Sequence, residues 1–176
     1  MSHDLSSSFV SFDSFTSSVL LVRDVAGDYR QVDAGEVLQA AQQVLLSRVQ
    51  GTDVLASPQA VRDFLRVKLG TLEHEVFAVV HLDSQNRVIE YVEMFRGTVS
   101  QTSVYPREVV RESMMRNSAA LLLVHNHPSG STQPSRADEH LTQTLKAALS
   151  LVDVRVLDHL IVAGNDILSM AERGLM

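Results

Sequence analysis

The stretch Ser118-Ala119-Ala120-Leu121-Leu122-Leu123-Val124-His125-Asn126-His127-Pro128-Ser129-Gly130 decides how the chain is read. Its first seven residues are an apolar run of strand length. The Pro/Gly/Ser segment after the histidines has the composition of a loop. Farther on, Ser135 stands where it can cap a helix from Arg136 to about Leu151, with Leu141, Leu145, Ala148 and Leu151 inward. Residues i and i+2 of a strand point to the same side, so His125 and His127 face one point and Asn126 turns away. Asp138 comes eleven positions after His127, in the first turn of the helix, where a carboxylate gains from the helix dipole. Ser135 lies on the same turn and can aim its hydroxyl at the same place. Two imidazoles and a carboxylate leave a fourth metal position open. Catalytic zinc sites hold water in that way, whereas structural sites are closed by four protein ligands.

Working outward, strands and helices alternate. Glu75–Leu82 and Val88–Phe95 read as two strands joined by the turn residues 83–87. Pro106 starts a helix to about Asn117, with Val109, Val110, Met114 and Met115 on its apolar side. Val154–Leu157 and Leu160–Val162 read as one buried strand interrupted by Asp158-His159, a pair expected to be a hydrogen-bonded structural element near the site. Ile167–Met170 reads as an edge strand. Upstream, Ser57 and Pro58 open a helix that Gly70 ends. Together these make an α/β core, assigned to residues 54–176. Residues 19–53 form an extension, in which a short hairpin around Gly27-Asp28 precedes an amphipathic helix over Ala34–Val49. Residues 1–18 carry eight serines and read as a poorly ordered tail.

Composition narrows the chemistry. The 176 residues suit one domain with a small extension, and the net charge of −6 does not favour nucleic acid. Arg107, Arg111 and Arg116 are read as a solvated helix face rather than a phosphate-binding row. With no cysteine, thiolate metal sites and the Pro-Cys-x-x-Cys element of zinc nucleobase deaminases are excluded. A two-histidine, one-carboxylate iron oxygenase uses the same ligand types, but Ser135 has no task there. The tripeptide His125-Asn126-His127 is not an HNH nuclease signature, whose residues are spread over a hairpin and helix. No membrane span or signal pattern is present, so a cytoplasmic protein is expected.

The string His-x-His-x7-Ser-x2-Asp, carried by His125, His127, Ser135 and Asp138, resembles the JAMM metalloprotease motif of the JAB/MPN superfamily. Similarity extends over residues 57–173 through Glu75-Val76-Phe77, Leu82-Asp83, Gly97-Thr98, Pro106-Arg107-Glu108, Pro134-Ser135, Asp158-His159 and Ala171-Glu172-Arg173-Gly174. That combination resembles the bacterial RadC-type branch, historically labelled DNA repair proteins, in a short form lacking the N-terminal helix-hairpin-helix region. The resemblance implies a three-layer α/β fold with a curved mixed sheet, of cytidine deaminase-like architecture. It implies zinc on His125, His127 and Asp138, with Ser135 stabilising the oxyanion. In the superfamily the general base is a glutamate at the start of an earlier strand. Glu75, fifty residues before His125, is the choice, with Glu93 on the return strand as competitor and Glu73 preceding the strand. The expected activity is zinc-dependent cleavage of a peptide or isopeptide bond in a peptide or protein substrate. The alternative is a module of DNA repair or DNA metabolism whose metal site is structural or nucleolytic. The sequence leaves the oligomeric state open.

Overall fold

The computed structural model describes residues 20–23, 25–97 and 103–176. The serine-rich segment 1–18 lies outside them. The chain divides into two compact units, Met1–Ala40 and Ala41–Met176. In the first, β1 (Leu21–Arg23) and β2 (Tyr29–Gln31) pair antiparallel, with Leu21 opposite Gln31. Gly27 takes a φ of +96° in the turn between them, a conformation open to glycine at no steric cost. Helix α1 (Ala34–Val49) starts in this unit, where Asp33 and Glu36 exchange side-chain and backbone hydrogen bonds. This reciprocal arrangement satisfies helix donors that would otherwise lack partners.

The second unit is built on a five-stranded mixed sheet in the order β4-β3-β5-β6-β7. Its strands are β3 (Val76–Leu82), β4 (Val88–Arg96), β5 (Ala120–Asn126), β6 (Arg155–Ala163) and β7 (Asp166–Ser169). Only β5 and β6 run parallel, and helix α4 (Arg136–Ser150) connects them, as a parallel pair requires. Every residue of β3 and β5 is buried, the pattern of strands covered on both faces. Alternate residues sort into two cores. Ala78, Val80, Leu82, Leu122, Val124, Leu160 and Val162 pack with Val61, Phe64 and Leu65 of α2 (Pro58–Leu69) and with Val49. On the other face, Phe77, Val79, Leu121 and Leu123 pack with Val109 of α3 (Pro106–Met115) and with Leu145 and Leu149 of α4. The result is helix, sheet and helix in three layers, an α/β domain as the sequence implies.

Several local expectations need correction. Met114 and Met115 are 54% and 69% exposed; the inward positions of α3 are Val109 and Ser113, one turn apart. Leu151 lies past the end of α4 and is 85% exposed, while the buried positions of that helix are Thr142, Leu145 and Leu149. Ser57 precedes α2 without a side-chain cap, leaving Pro58 alone to supply the start signal. Gly70 does follow α2, but in a right-handed conformation with φ of −64°. Its role is close packing: a Cβ there would collide with the backbone carbonyl oxygen of Gly164.

Because that carbonyl belongs to backbone and cannot swing aside, Gly70→Ala should destabilise the domain by about 1–3 kcal/mol. Urea unfolding followed by circular dichroism checks this, through a lower midpoint at unchanged slope.

Candidate metal centre

The C-terminal end of β5 and the N-terminus of α4 meet at one point. In open α/β sheets, crevices outside the carboxyl ends of strands are where ligands bind. His125 is the sixth residue of β5 and 2% exposed. His127 follows the strand, and its backbone N–H donates to Val162 O of β6 at 2.8 Å. The sheet edge is thereby prolonged by one residue, and the i, i+2 geometry persists. The two rings lie 4.7 Å apart between centroids, with Nε2 to Nε2 at 2.9 Å. Asp138 approaches both, with Oδ1 3.3 Å from His125 Nε2 and Oδ2 3.7 Å from His127 Nε2. The structure thus brings together His125, His127 and Asp138, with one candidate ligand atom from each within 4.8 Å of the others.

Each of these side chains is held from behind. His127 Nδ1 lies 2.7 Å from Ser131 O. A carbonyl only accepts, so His127 carries a proton on Nδ1, and its Nε2 faces the site. Burial pushes the Asp138 carboxyl up, but the His125 and His127 rings beside it and the Ser135 hydroxyl hold it well below the usual carboxylate range. The Asp138 carboxylate beside it raises the pKa of His127 despite its partial burial. Ser135 caps α4: Asp138 N donates to its Oγ at 3.2 Å, while Ser135 N and Oγ both donate to Asp138 Oδ2 at 2.7 Å. The same bonds that start the helix orient the carboxylate.

The donor set fits a zinc ion. Two imidazole nitrogens and one carboxylate oxygen, presented from one side, are borderline-soft and hard ligands of the types zinc takes, and they leave a face open. That face opens on a cleft of about 550 Å³ lined by Glu75, Phe77, Val104, Ser135 and Leu141 along with the three ligand candidates. Glu75 precedes β3 by one residue, and its carbonyl accepts from Gly97 N at 2.8 Å. The competing glutamate lies elsewhere. Glu93 pairs with Lys68 of α2 at 3.0 Å, on the opposite face of the sheet. Glu73 is exposed.

The Asp158-His159 pair is hydrogen-bonded beside the site as expected, whereas the partners of that pair and the role of Asn126 were not legible in the sequence. Asn126, 2% exposed, turns away from the ligand candidates as expected. Its amide, however, clamps the chain on both sides of Glu75: Val76 N donates to Oδ1 at 2.7 Å, and Nδ2 donates to His74 O at 3.0 Å. Asp158 and His159 divide between the two sheet faces. The Asp158 carboxylate receives Ser169 Oγ at 2.6 Å, His159 N at 2.7 Å and Ala171 N at 3.0 Å, tying β6 to the turn after β7. The His159 ring instead reaches His125, its Nε2 2.8 Å from Nδ1. Thr142 of α4 lies behind it, with Oγ1 2.6 Å from His159 Nδ1. The available signal was a histidine within an apolar strand and a threonine on the inward stripe of the next helix back.

The arginines of α3 and of the residue that follows it are all ion-paired. Arg107 pairs with Glu108, Arg111 with Glu108 and Glu112, and Arg116 with Glu90 and Glu112. Among the described residues no helix is long and apolar enough to cross a membrane.

Residues 55–175 match the family described as RadC-like JAB domain. The chain is 55% identical over 150 residues to a UPF0758 protein of Leptothrix cholodnii, covering 85% of this chain and 68% of that one. A UPF0758 protein of Methylibium petroleiphilum is also 55% identical over 150 residues, with the same coverage. One from Acidovorax sp. strain JS42 is 57% identical over 150 residues, 85% of this chain and 63% of that protein. The match therefore spans about two thirds of the length of these relatives.

Asn126→Leu removes both partners of the clamp and leaves Val76 N–H and His74 C=O unpaired in a buried place. It should cost about 1–3 kcal/mol, the desolvation penalty of orphaned groups. Equilibrium unfolding gives the loss, and faster hydrogen exchange at Val76 N–H locates it.

Proposed function

Since the chain belongs to the RadC-like JAB domain family, we propose that it is a zinc-dependent hydrolase that cleaves a peptide or isopeptide bond. The observation that carries this reading is the convergence of His125, His127 and Asp138 on the cleft that Glu75 also lines. His125, His127 and Asp138 would hold the ion. Bound zinc supplies a Lewis acid that brings the pKa of water to roughly 7 and polarises a carbonyl.

The remaining work falls to the chain itself. Glu75 stands at the mouth of β3, outside the ligand set, and its carboxylate takes the proton of the attacking water and returns it to the leaving nitrogen. A base of this kind contributes about 10²–10⁴ in rate. Ser135 donates a hydrogen bond to the oxyanion, for which its Oγ rotates from Asp138 Oδ2 toward the cleft. The first turn of α4 adds its backbone donors and positive dipole end on the same side. Phe77, Val104 and Leu141 give the cleft apolar walls that exclude water from part of the reacting surface. An extended polypeptide suits an open cleft at the sheet margin, hence a peptide or protein substrate. Location in the cytoplasm accords with a cysteine-free chain.

The alternative reading, a DNA-metabolism module, has less support. The chain is acidic, and Arg107, Arg111 and Arg116 each already have a glutamate partner.

Glu75→Gln should retain one zinc per chain while cleavage of a quenched-fluorescent peptide library falls by about 10²–10⁴. Zinc content by atomic absorption and initial rates on the same preparation give the two readings. A variant that cleaves as fast as the parent would remove Glu75 from the role of base.

A further inference from the structure

Behind the ligand candidates runs a buried chain of polar atoms that the reaction itself does not use. Thr142, His125 and His159 are each at most 2% exposed. Starting from α4, Thr142 Oγ1 lies 2.6 Å from the backbone oxygen of Asp138 and 2.6 Å from His159 Nδ1. Its other neighbour is Met170 Sδ at 3.8 Å. His159 Nε2 in turn lies 2.8 Å from His125 Nδ1.

The proton positions along this chain follow from counting. Two oxygens at 2.6 Å need a proton between them, and a carbonyl has none to give, so the Thr142 hydroxyl donates to Asp138 O. That hydroxyl has a single proton. The contact with His159 Nδ1 must therefore be made by a proton on the ring nitrogen. The His159 ring is fully buried and neither of its nitrogens meets a carboxylate, so an uncompensated charge there would be costly; the ring is neutral and its Nε2 is bare. A bare Nε2 accepts, and His125 Nδ1–H is the donor. The second nitrogen of His125 is then left with its lone pair aimed at His127 and Asp138.

We propose that Thr142 and His159 are positioning residues that fix His125 in the Nδ1–H tautomer and thereby present its Nε2 to a metal ion. The proposal rests on the metal-site reading above. A free imidazole can carry its proton on either nitrogen, and one carried on Nε2 would have to leave before metal could bind. His127 is fixed in the same tautomer more simply, by the backbone oxygen of Ser131. Behind His125 stands the His159 imidazole in place of a carbonyl, with the Thr142 hydroxyl behind that. The same helix supplies both ends of the device: Asp138 as ligand candidate, and its backbone oxygen as the acceptor that sets the first proton.

Zinc affinity is measured by competition with a chromophoric chelator for the parent, His159→Leu, His159→Gln and Thr142→Val. His159→Leu should bind zinc about 10–100-fold more weakly, the usual cost of losing a partner behind a ligating histidine. His159→Gln should retain most of the affinity, because its side-chain oxygen can accept the same proton. Thr142→Val should weaken binding, because His159 loses the acceptor that fixes its tautomer. A folded His159→Leu protein with the parent's affinity would overturn the proposal. A long-range proton–nitrogen spectrum of the imidazoles provides the second test and needs no variant. It should show His159 protonated on Nδ1 and bare on Nε2, with or without zinc, and the reverse pattern would overturn the proposal. A parent that binds no zinc would contradict the metal-site reading instead, and the His159 spectrum would still decide the relay.

Discussion

Everything at the centre depends on two ring nitrogens and a carboxylate being held at one point. His125 Nε2 and His127 Nε2 lie 2.9 Å apart, and Asp138 is turned toward both. Nitrogen lone pairs at that separation repel one another, and Asp138, held by Ser135, sets a negative charge beside them. A cation there would relieve the repulsion and pair the charge. The surrounding structure fixes the cost of the arrangement in advance: β5 is a buried central strand, α4 is capped by the residue that orients Asp138, and His127 is tied to both β6 and Ser131. The ligand candidates cannot relax apart without breaking the sheet end or the helix start.

The topology explains why these residues meet. A strand followed by a helix and then a parallel strand places the strand's carboxyl end next to the helix N-terminus. Here that junction carries two histidines on one side and Ser135 and Asp138 on the other. The antiparallel neighbour β3 begins at the same margin, since Phe77 lies opposite His125, so Glu75 arrives at the cleft from a third direction. Asn126 then locks that arrival by holding the backbone before and after Glu75. A single tripeptide, His125-Asn126-His127, supplies two ligand candidates and the clamp for the base candidate.

Much of this was legible in the sequence because it depends on local rules. The extent of α1, the start of α2 and α3 at proline, the strands around residues 76–96 and the buried run before His125 all follow from periodicity and turn residues. The i, i+2 placement of the histidines and the position of Asp138 in the first helical turn are equally local. Long-range features were not legible. Which methionines of α3 face the core depends on where the helix lies against the sheet, and Met114 and Met115 fall on the outer side. Gly70 looks like a helix stop but is required by the approach of Gly164, ninety-four residues away in the chain. The link from Thr142 to His159 to His125 joins one helix and two strands, and no spacing in the sequence announces it. Asp158 and His159 are the hydrogen-bonded pair expected near the site, but their side chains serve opposite faces of the sheet, and that division was not legible.

In the proposed centre one divalent ion sits on two imidazoles and one carboxylate, with an open position toward the cleft. X-ray absorption at the zinc edge of the loaded protein reads that shell. A four-coordinate shell is expected, with two imidazole nitrogens at about 2.0–2.1 Å and oxygens at about 2.0–2.2 Å. A six-coordinate shell of oxygens, or a shell with fewer than two imidazoles, would contradict it.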